Sequence, residues 1–356
     1  MALLEAINFI ASSALSTGYI ANLTLKNTMQ KDTLIPVTIL TGFLGSGKTT
    51  LLNYILKQPH GHRIAVIENE FGEAGIDNEI LVQDQGEQII EMNNGCICCT
   101  VRGDLVRILG ELAAKRQTGS LQFDRVVIET TGLADPAPVA QTFFVDEDVV
   151  QHYMLDAIVT LVDAKHAQQQ LDEHHEAQEQ VGFADRILLT KTDLVPTAEL
   201  SALRQRLTRM NPRASIAESR KGVAALDDVL DIRGFNLNAI LEIEPDFLSD
   251  VTHEHDDDIT SFVFRETRPL DLEKVENFLS AIVQVHGASL LRYKGILHIA
   301  GVKQRVIFQG VHMLMGSDLG AAWGKGEVRE SKMVFIGKDM PREVLEKGFA
   351  QAVVSA

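Results

Sequence analysis

Short apolar segments rich in β-branched residues alternate with helical patterns from Leu34 onward. Such continuous apolar runs are typical of strands that are buried on both faces of a parallel sheet. The predicted strands are Val37–Leu40, Ile64–Ile67, Val126–Ile128, Ala157–Val162 and Arg186–Leu189. The predicted helices between them include Thr49–Lys57, Asp104–Lys115 and Glu199–Thr208. This order predicts an α/β domain that is doubly wound around a mostly parallel sheet.

The last third of the chain follows a different pattern. Pro245 and the histidine- and acid-rich run 253–258 interrupt any periodicity, so residues 243–259 are predicted to be a linker. It would join a first domain, residues 34–242, to a second, residues 260–356. The elements expected in the second domain are strands Ser261–Arg265, Leu290–Ala300, Gln304–Met315 and Lys332–Ile336, a helix Leu272–Val283 and a helix from Arg342. This order predicts a small α+β sandwich with helices on one face of a mainly antiparallel sheet.

The length and net charge of the chain limit the kinds of partner that it can bind. The chain has 356 residues, 45% of them apolar, which is enough for two domains with proper cores. Its 33 basic and 49 acidic residues give a net charge of -16, which disfavours nucleic acid and anionic membranes as partners. No apolar run is long enough to span a bilayer. We therefore expect a cytoplasmic protein.

The stretch from Met1 to about Leu25 is rather apolar, and the first convincing strand begins only after Met29. This stretch lacks a basic start and carries Glu5, so it makes a poor signal peptide. We expect residues 1–33 to be a disordered extension, with Met29 as an alternative start of translation. An additional helix packed on the first domain is the alternative.

The clearest chemical signal follows the first predicted strand. The stretch from Gly42 to Thr49 matches GxxxxGKT and lies between a strand and a helix, the context in which a P-loop occurs. Glycines let the backbone amides turn towards phosphate oxygens, Lys48 supplies positive charge, and Thr49 offers its hydroxyl to Mg²⁺. The residues expected to bind nucleotide here are Gly42, Phe43, Leu44, Gly45, Ser46, Gly47, Lys48, Thr49 and Thr50.

Two later strand ends extend this predicted site. Glu129 ends a strand beside the P-loop, where it can bind Mg²⁺ directly or through water, and Gly132 lets the next loop approach the γ-phosphate. In the sequence TKTD, Asp193 can accept hydrogen bonds from N1 and N2 of guanine, and the Lys191 stem can lie over the base. Thr190 replaces the usual Asn, so we expect a modest loss of base selectivity. The candidate catalytic residues are Lys48, Thr49 and Glu129, and the predicted cofactors are GTP and Mg²⁺.

The three cysteines predict a transition-metal site. Cys96, Cys98 and Cys99 fall within four consecutive residues, so they cannot form a spread disulfide framework. Three thiolates so close together suit Zn²⁺, Cu(I) or Co²⁺ and suit Mg²⁺ or Ca²⁺ poorly. Buried structural cysteines are the alternative, although those are usually scattered through a core.

The acidic segment 68–73 is predicted to couple the two sites. It follows the second strand, so it lies at the same carboxyl edge and occupies the position of a switch loop. Its carboxylates are candidates for a fourth metal ligand, and a response to the γ-phosphate would reshape the cysteine loop. A solvated acidic loop is the alternative. His253 and His255 of the linker could hold a second metal weakly or remain solvated, and for His174 and His175 an exposed helix face is favoured over a metal site.

The segments GFLGSGKTT, ENEFGE, GCICC, ETTG and TKTD occur in the order found in the CobW-type metallochaperone GTPases, which are relatives of the nickel-insertion GTPases. The chain resembles this family from about Ile35 onward, and the YjiA branch of it most of all. The resemblance implies a SIMIBI-type P-loop fold, slow GTP hydrolysis, metal binding at the GCICC cysteines and delivery of zinc or cobalt to a client. It also places Glu68 and Glu73 at acidic metal-binding positions.

These features predict a GTPase that binds a transition metal, with zinc favoured over cobalt, and transfers it to a client metalloprotein. No arginine finger can be assigned, so we expect slow hydrolysis, which a client or a homodimer partner would accelerate. A nucleotide-regulated metal sensor without delivery is the alternative function. A P-loop kinase is disfavoured because no arginine cluster of a lid is visible and because Lys191 with Asp193 indicates guanine.

Overall fold

A computed structural model describes residues 34–69, 89–92, 101–234 and 258–354. These residues form two compact units, one ending at residue 234 and the other beginning at residue 258. The predicted N-terminal extension and most of the predicted linker lie outside the described residues. Among the described helices, none combines the length and apolar character needed to cross a bilayer.

The first unit alternates strands and helices along the chain. Its strands are β1 (Ile35–Gly42), β2 (Ile64–Asn69), β3 (Ile89–Met92), β4 (Arg125–Glu129), β5 (Tyr153–Asp163), β6 (Arg186–Thr190) and β7 (Ser215–Ser219). Its helices are α1 (Lys48–Leu56), α2 (Val101–Gln117), α3 (Ala137–Val145), α4 (Glu147–His152), α5 (Ala167–Glu173), α6 (His175–Phe183) and α7 (Thr197–Met210). Short 3₁₀ turns lie at Thr192–Leu194 and Leu226–Asp228.

The seven strands form one parallel sheet in the order β3-β2-β4-β1-β5-β6-β7. Consecutive residues of β1, such as Ile39 and Leu40, are fully buried, so helices cover both faces of the sheet. On one face Leu51 and Ile55 of α1 join the core. Because all strands run the same way, their carboxyl ends share one edge. The doubly wound prediction is confirmed.

All five predicted strands are present, but β3, β7, α3, α4 and α5 were not predicted. β3 has only four residues, and β7 carries polar residues at both ends and is only partly buried. A short or half-exposed strand leaves a weaker apolar pattern than the long buried runs that mark the central strands. Sequence patterning therefore finds the centre of this sheet better than its edges.

A buried ion-pair network lies at the amino ends of the strands, away from the P-loop. Arg125, at the start of β4, is 2% exposed and donates to Asp156 of β5 over 3.4 Å and to Asp231. The backbone N–H of Arg233 donates to the other Asp156 oxygen over 2.8 Å. Burial raises the pKa of Asp156, and the Arg233 hydrogen bond and the Arg125 charge oppose that rise. This network fastens residues 231–233 to the sheet.

The second unit is an antiparallel sheet with two helices. Its elements are β8 (Ile259–Glu266), α8 (Leu272–His286), β9 (Leu290–Leu297), β10 (Gln304–Val311), β11 (Leu314–Ala322), β12 (Ser331–Lys338) and α9 (Arg342–Ala352). The strand order is β11-β10-β9-β12-β8, and every neighbouring pair is antiparallel. Leu279 of α8 and Phe349 of α9 pack in one core with Tyr293 and Phe335 of the sheet. The predicted α+β sandwich is confirmed.

The prediction of one strand over Gln304–Met315 is wrong. The chain turns back at residues 312 and 313, so that β10 and β11 form a hairpin. His312 adopts a φ of 50°, in the left-handed region. The turn contains none of the glycine, asparagine or aspartate residues that usually mark a hairpin, and the apolar pattern continues through it.

Candidate nucleotide and metal site

The P-loop connects β1 to α1 at the carboxyl edge of the parallel sheet. Gly47 is the N-cap of α1 and has a φ of 97°, which a residue with a side chain rarely adopts. A Cβ on Gly42 would lie 2.3 Å from the Leu161 carbonyl oxygen, so this position also requires glycine. The first backbone N–H groups of α1 face the end of the loop, where they can bind phosphate oxygens.

The Lys48 ammonium group lies inside this loop. Its Nζ donates to the Gly42 carbonyl oxygen over 2.7 Å and lies 3.4 Å from that of Phe43. Burial lowers the pKa of Lys48, and the nearby Glu129 carboxylate acts in the opposite direction. The ammonium is therefore held among oxygen atoms, where phosphate oxygens can replace the carbonyls as partners.

Glu129 meets the P-loop as the sequence predicts. It pairs in register with Leu40 of β1, and the Thr49 hydroxyl donates to its Oε1 over 2.9 Å. A hydroxyl and a carboxylate are hard oxygen donors, the kind that Mg²⁺ prefers. Thr49 and Glu129 thus fit the Mg²⁺ of a bound nucleotide.

The loop after β4 packs directly on the P-loop. The Thr130 N–H donates to the Leu40 carbonyl oxygen over 3.0 Å, and its hydroxyl donates to the Thr41 hydroxyl over 2.8 Å. A Cβ on Gly132 would lie 2.7 Å from the Leu44 Cα, so only glycine permits this approach. Gly132 therefore lies beside the P-loop, as predicted.

The TKTD segment is braced against the P-loop by Thr190. The Thr190 hydroxyl donates to the Ser46 carbonyl oxygen over 2.8 Å and lies 3.4 Å from that of Val162. A threonine at this position thus still ties the loop after β6 to the phosphate cradle. Asp193 lies in the following 3₁₀ turn and is exposed.

Asp163, which was not predicted as a site residue, orients Lys191. It ends β5, is 2% exposed, and accepts from Lys191 Nζ over 2.7 Å. Its Oδ2 also lies 2.8 Å from His166 Nδ1. Burial alone would raise the pKa of Asp163, but the hydrogen bonds from Lys191 and His166 outweigh burial and lower it. A carboxylate directly after an apolar strand at this edge was the available sequence signal.

A hairpin turn that was also not predicted packs on the first turn of α1. Arg220 and Val223 exchange two backbone hydrogen bonds of 3.0 Å, which closes a two-residue turn. A Cβ on Gly222 would lie 2.7 Å from the Thr50 Cγ2 atom. Before it, Glu218 accepts from the Thr192 hydroxyl over 3.2 Å, which connects β7 to the TKTD segment.

Of the predicted metal ligands, only Glu68 lies within the described residues. Glu68 lies at the carboxyl end of β2, where its Cα pairs with those of Glu129 on β4 and Glu91 on β3. Cys96, Cys98, Cys99 and Glu73 lie outside the described residues. Within the described residues, no group of three or more His, Cys, Asp or Glu side chains could hold a metal ion.

The two neighbouring histidines differ in their surroundings. The His174 ring stacks on the Phe43 ring of the P-loop, with centroids 4.6 Å apart, whereas His175 is exposed. The expectation of an exposed helix face is therefore wrong for His174. The contact is made across the fold, so helical periodicity could not reveal it.

The parallel sheet, the glycine cradle and the Lys48, Thr49 and Glu129 cluster define a P-loop nucleotide-binding protein. Comparison with family models identifies the type. Residues 36–218 match the CobW/HypB/UreG nucleotide-binding domain, and residues 259–353 match the cobalamin synthesis protein cobW C-terminal domain. The chain belongs to the CobW/HypB/UreG family, and the resemblance seen in its motifs is confirmed.

Individual relatives match over nearly their whole length. The chain is 44% identical over 317 residues to the zinc chaperone YjiA of Escherichia coli (strain K12), covering 89% of this chain and 98% of YjiA. It is 35% identical over 348 residues to the zinc chaperone CobW of Pseudomonas aeruginosa, covering 87% of this chain and 89% of that protein. The crystal structure of Zn(II)-bound YjiA GTPase from E. coli matches with a TM-score of 0.74 and 39% identity, covering 90% of this chain and 99% of YjiA.

Proposed function

We propose that the protein is a GTPase metallochaperone that holds a transition metal at Cys96, Cys98 and Cys99 and transfers it to a client metalloprotein. Zinc is the favoured metal, because three thiolates suit it and because the YjiA and CobW relatives described above carry the name zinc chaperone. Cobalt is second. The observation that carries the proposal is the register of Glu68 with Glu129, since it joins the expected metal position to the nucleotide site.

The nucleotide half of the proposal depends on Lys48, Thr49 and Glu129. The Lys48 ammonium is placed to neutralise charge on the phosphates, and Glu129 fixes the Thr49 hydroxyl 2.9 Å away. Thr49 and Glu129 would hold Mg²⁺, which would supply positive charge to stabilise the phosphates. The protein residues then bind and orient the terminal phosphate.

Guanine selectivity is assigned to Asp193 and Lys191. Asp193 is exposed and free to accept hydrogen bonds from a base, while Asp163 fixes the Lys191 ammonium and so positions its stem. The hydrogen bond from the Thr190 hydroxyl to the Ser46 carbonyl oxygen fixes the TKTD segment relative to the P-loop. The protein can therefore bind the base and the phosphates of one nucleotide at the same time.

Replacing Asp193 with Asn is expected to change the preferred base from guanine to xanthine. Guanine offers an N–H and an NH₂ to a carboxylate, whereas xanthine presents a carbonyl oxygen where guanine has its NH₂ group. An Asn side chain can donate to that carbonyl. We expect the affinity for GDP to fall about 100-fold and the affinity for XDP to exceed it. Fluorescence titration with labelled nucleotides measures both, and unchanged GDP affinity would exclude Asp193 from base recognition.

Coupling between metal and nucleotide follows from the parallel sheet. Neighbouring strands lie about 4.8 Å apart, so the backbones that carry Glu68 and Glu129 are adjacent at the carboxyl edge. Glu129 binds Thr49, which is expected to meet Mg²⁺. A change in charge or position at Glu129 on hydrolysis would thus be felt at Glu68 and, through the following segment, at the cysteines.

We expect the dissociation constant for Zn²⁺ to differ about tenfold or more between the GDP-bound protein and the protein with a non-hydrolysable GTP analogue. Competition with a chromophoric chelator measures it. Cys98→Ala should abolish tight binding, and Glu68→Gln should reduce the difference between the nucleotide states. Glu199→Gln is the matched control, because Glu199 is an exposed acid on α7. Equal zinc affinity in both states would contradict the coupling.

Delivery to a client separates the proposal from a metal sensor. Zinc-loaded protein is mixed with the apo form of a zinc-dependent client, and the zinc content of the client is measured after GTP addition. Metal gain by the client that depends on GTP supports the chaperone. A state-dependent affinity without any transfer would favour the alternative, a nucleotide-regulated sensor.

A further inference from the structure

Helix α6 and the residue before it contact both loops of the nucleotide site. The His174 ring stacks on Phe43 of the P-loop. Six residues later, Gln180 Nε2 donates to the carbonyl oxygens of Gly132 and Ala134, each over 3.1 Å. The Gln180 side chain therefore binds the loop after β4 on both sides of Leu133.

Gln180 is itself held rigidly. It is 1% exposed, and its backbone carbonyl oxygen accepts from the Thr160 hydroxyl of β5 over 2.8 Å. Two carbonyl oxygens face the amide nitrogen, so the orientation of the amide is fixed by its partners, because a rotated amide would set oxygen against oxygen. The helix is thus anchored to the sheet at the residue that grips the loop.

The other end of this amide argues against a purely structural role. Gln180 Oε1 is buried, and within the described residues it has no hydrogen-bond partner. Burying a polar atom without a hydrogen bond is unfavourable. Proteins retain such local costs chiefly where function requires them.

The opposite side of the same loop lies against the P-loop. Gly132 approaches the Leu44 backbone so closely that a Cβ would be 2.7 Å from the Leu44 Cα. Thr130 is bonded to Leu40 and Thr41 of β1. The loop is therefore held between β1 and the P-loop on one side and Gln180 on the other, while Leu133 is 54% exposed.

We infer that Gln180 is a positioning residue for GTP hydrolysis. By fixing the carbonyl groups of Gly132 and Ala134, it sets the direction of the peptide units beside the expected terminal phosphate. This inference depends on the proposed nucleotide site. GDP lacks the terminal phosphate, so loss of the Gln180 donors should lower kcat and leave the affinity for GDP nearly unchanged.

The test compares Gln180→Met with Gln178→Met. Methionine has a similar length and flexibility but cannot donate, and Gln178 is a buried glutamine of the same helix whose Nε2 donates to the Leu171 carbonyl oxygen instead. Single-turnover GTP hydrolysis, GDP affinity and thermal unfolding are measured for the whole chain. We expect Gln180→Met to lower kcat at least about tenfold with GDP affinity within twofold, whereas Gln178→Met keeps the wild-type kcat.

Three results would overturn the inference: an unchanged kcat in Gln180→Met, a GDP affinity that falls as far as kcat, or an equal loss of kcat in Gln178→Met. Gln180→Glu provides a second variant should the first not fold, since its carboxylate keeps the shape but repels both carbonyl oxygens. Its kcat should fall at neutral pH and recover as pH decreases, because the protonated acid can donate to one carbonyl. Absence of GTP hydrolysis in the wild type would instead refute the proposed function itself.

Discussion

The Lys48→Met variant is expected to hydrolyse GTP with a kcat/KM about 10²–10³-fold below that of the wild type. Lys48 Nζ lies in the centre of the P-loop, 2.7 Å from the Gly42 carbonyl oxygen, and its charge would stabilise the transferring phosphoryl group. Methionine preserves the buried stem of the side chain and removes the charge. Phosphate release under steady-state conditions measures the effect.

Lys57→Met is the matched control for this change. Lys57 follows the same helix at its other end and is exposed, so its loss removes one positive charge without touching the phosphate cradle. We expect its kcat/KM to stay within about twofold of the wild type. Similar losses in both variants would mean that Lys48 acts only through the overall charge of the protein.

The second large effect concerns stability. Arg125→Met should lower the free energy of unfolding of the first unit by about 3–5 kcal/mol, because it leaves the buried Asp156 carboxylate without its cation. Methionine fills much of the volume of the arginine stem, so the loss reports mainly on the charge. Urea unfolding measures the change, and hydrogen exchange of the β5 amides assigns it to this unit.

Two further variants define the cause of that loss. Arg63→Met removes an exposed arginine that pairs with Asp124 over 3.3 Å, and such surface pairs contribute about 0–1 kcal/mol. Asp156→Asn in the Arg125→Met background removes the unpaired charge and should restore part of the stability. A double variant as unstable as Arg125→Met alone would show that lost packing, rather than an unpaired charge, is responsible.

The sequence predicts those parts of the fold and site that are encoded locally. The P-loop is a contiguous motif, and β1 is a buried run rich in β-branched residues, so both were located from the sequence. Glu129 was placed beside the P-loop because the carboxyl ends of parallel strands share an edge, and its bond to Thr49 is present. The roles assigned to these residues stay predictions.

Contacts made across the fold left no comparable signal. Asp163 accepts a hydrogen bond from Lys191, Gln180 donates to the loop after β4, and His174 stacks on Phe43. In the sequence, each of the three is an ordinary polar residue at a strand end or in or beside a helix. Their partners lie 28 or more residues away along the chain, so no local pattern identifies these contacts, although the position of Asp163 at the end of an apolar strand was a signal of the site. The hairpin at His312 was missed for the converse reason, because its local pattern imitates a continuous strand.

Under the proposed coupling, the adjacency of Glu68 and Glu129 would have a thermodynamic consequence for the cell. Thermodynamic linkage is reciprocal. If a bound nucleotide changes the affinity for the metal by some factor, the bound metal changes the affinity for that nucleotide by the same factor. Zinc supply would then set how long the protein dwells in each nucleotide state. A depleted cell and a replete cell would present two different populations of the same protein to its clients.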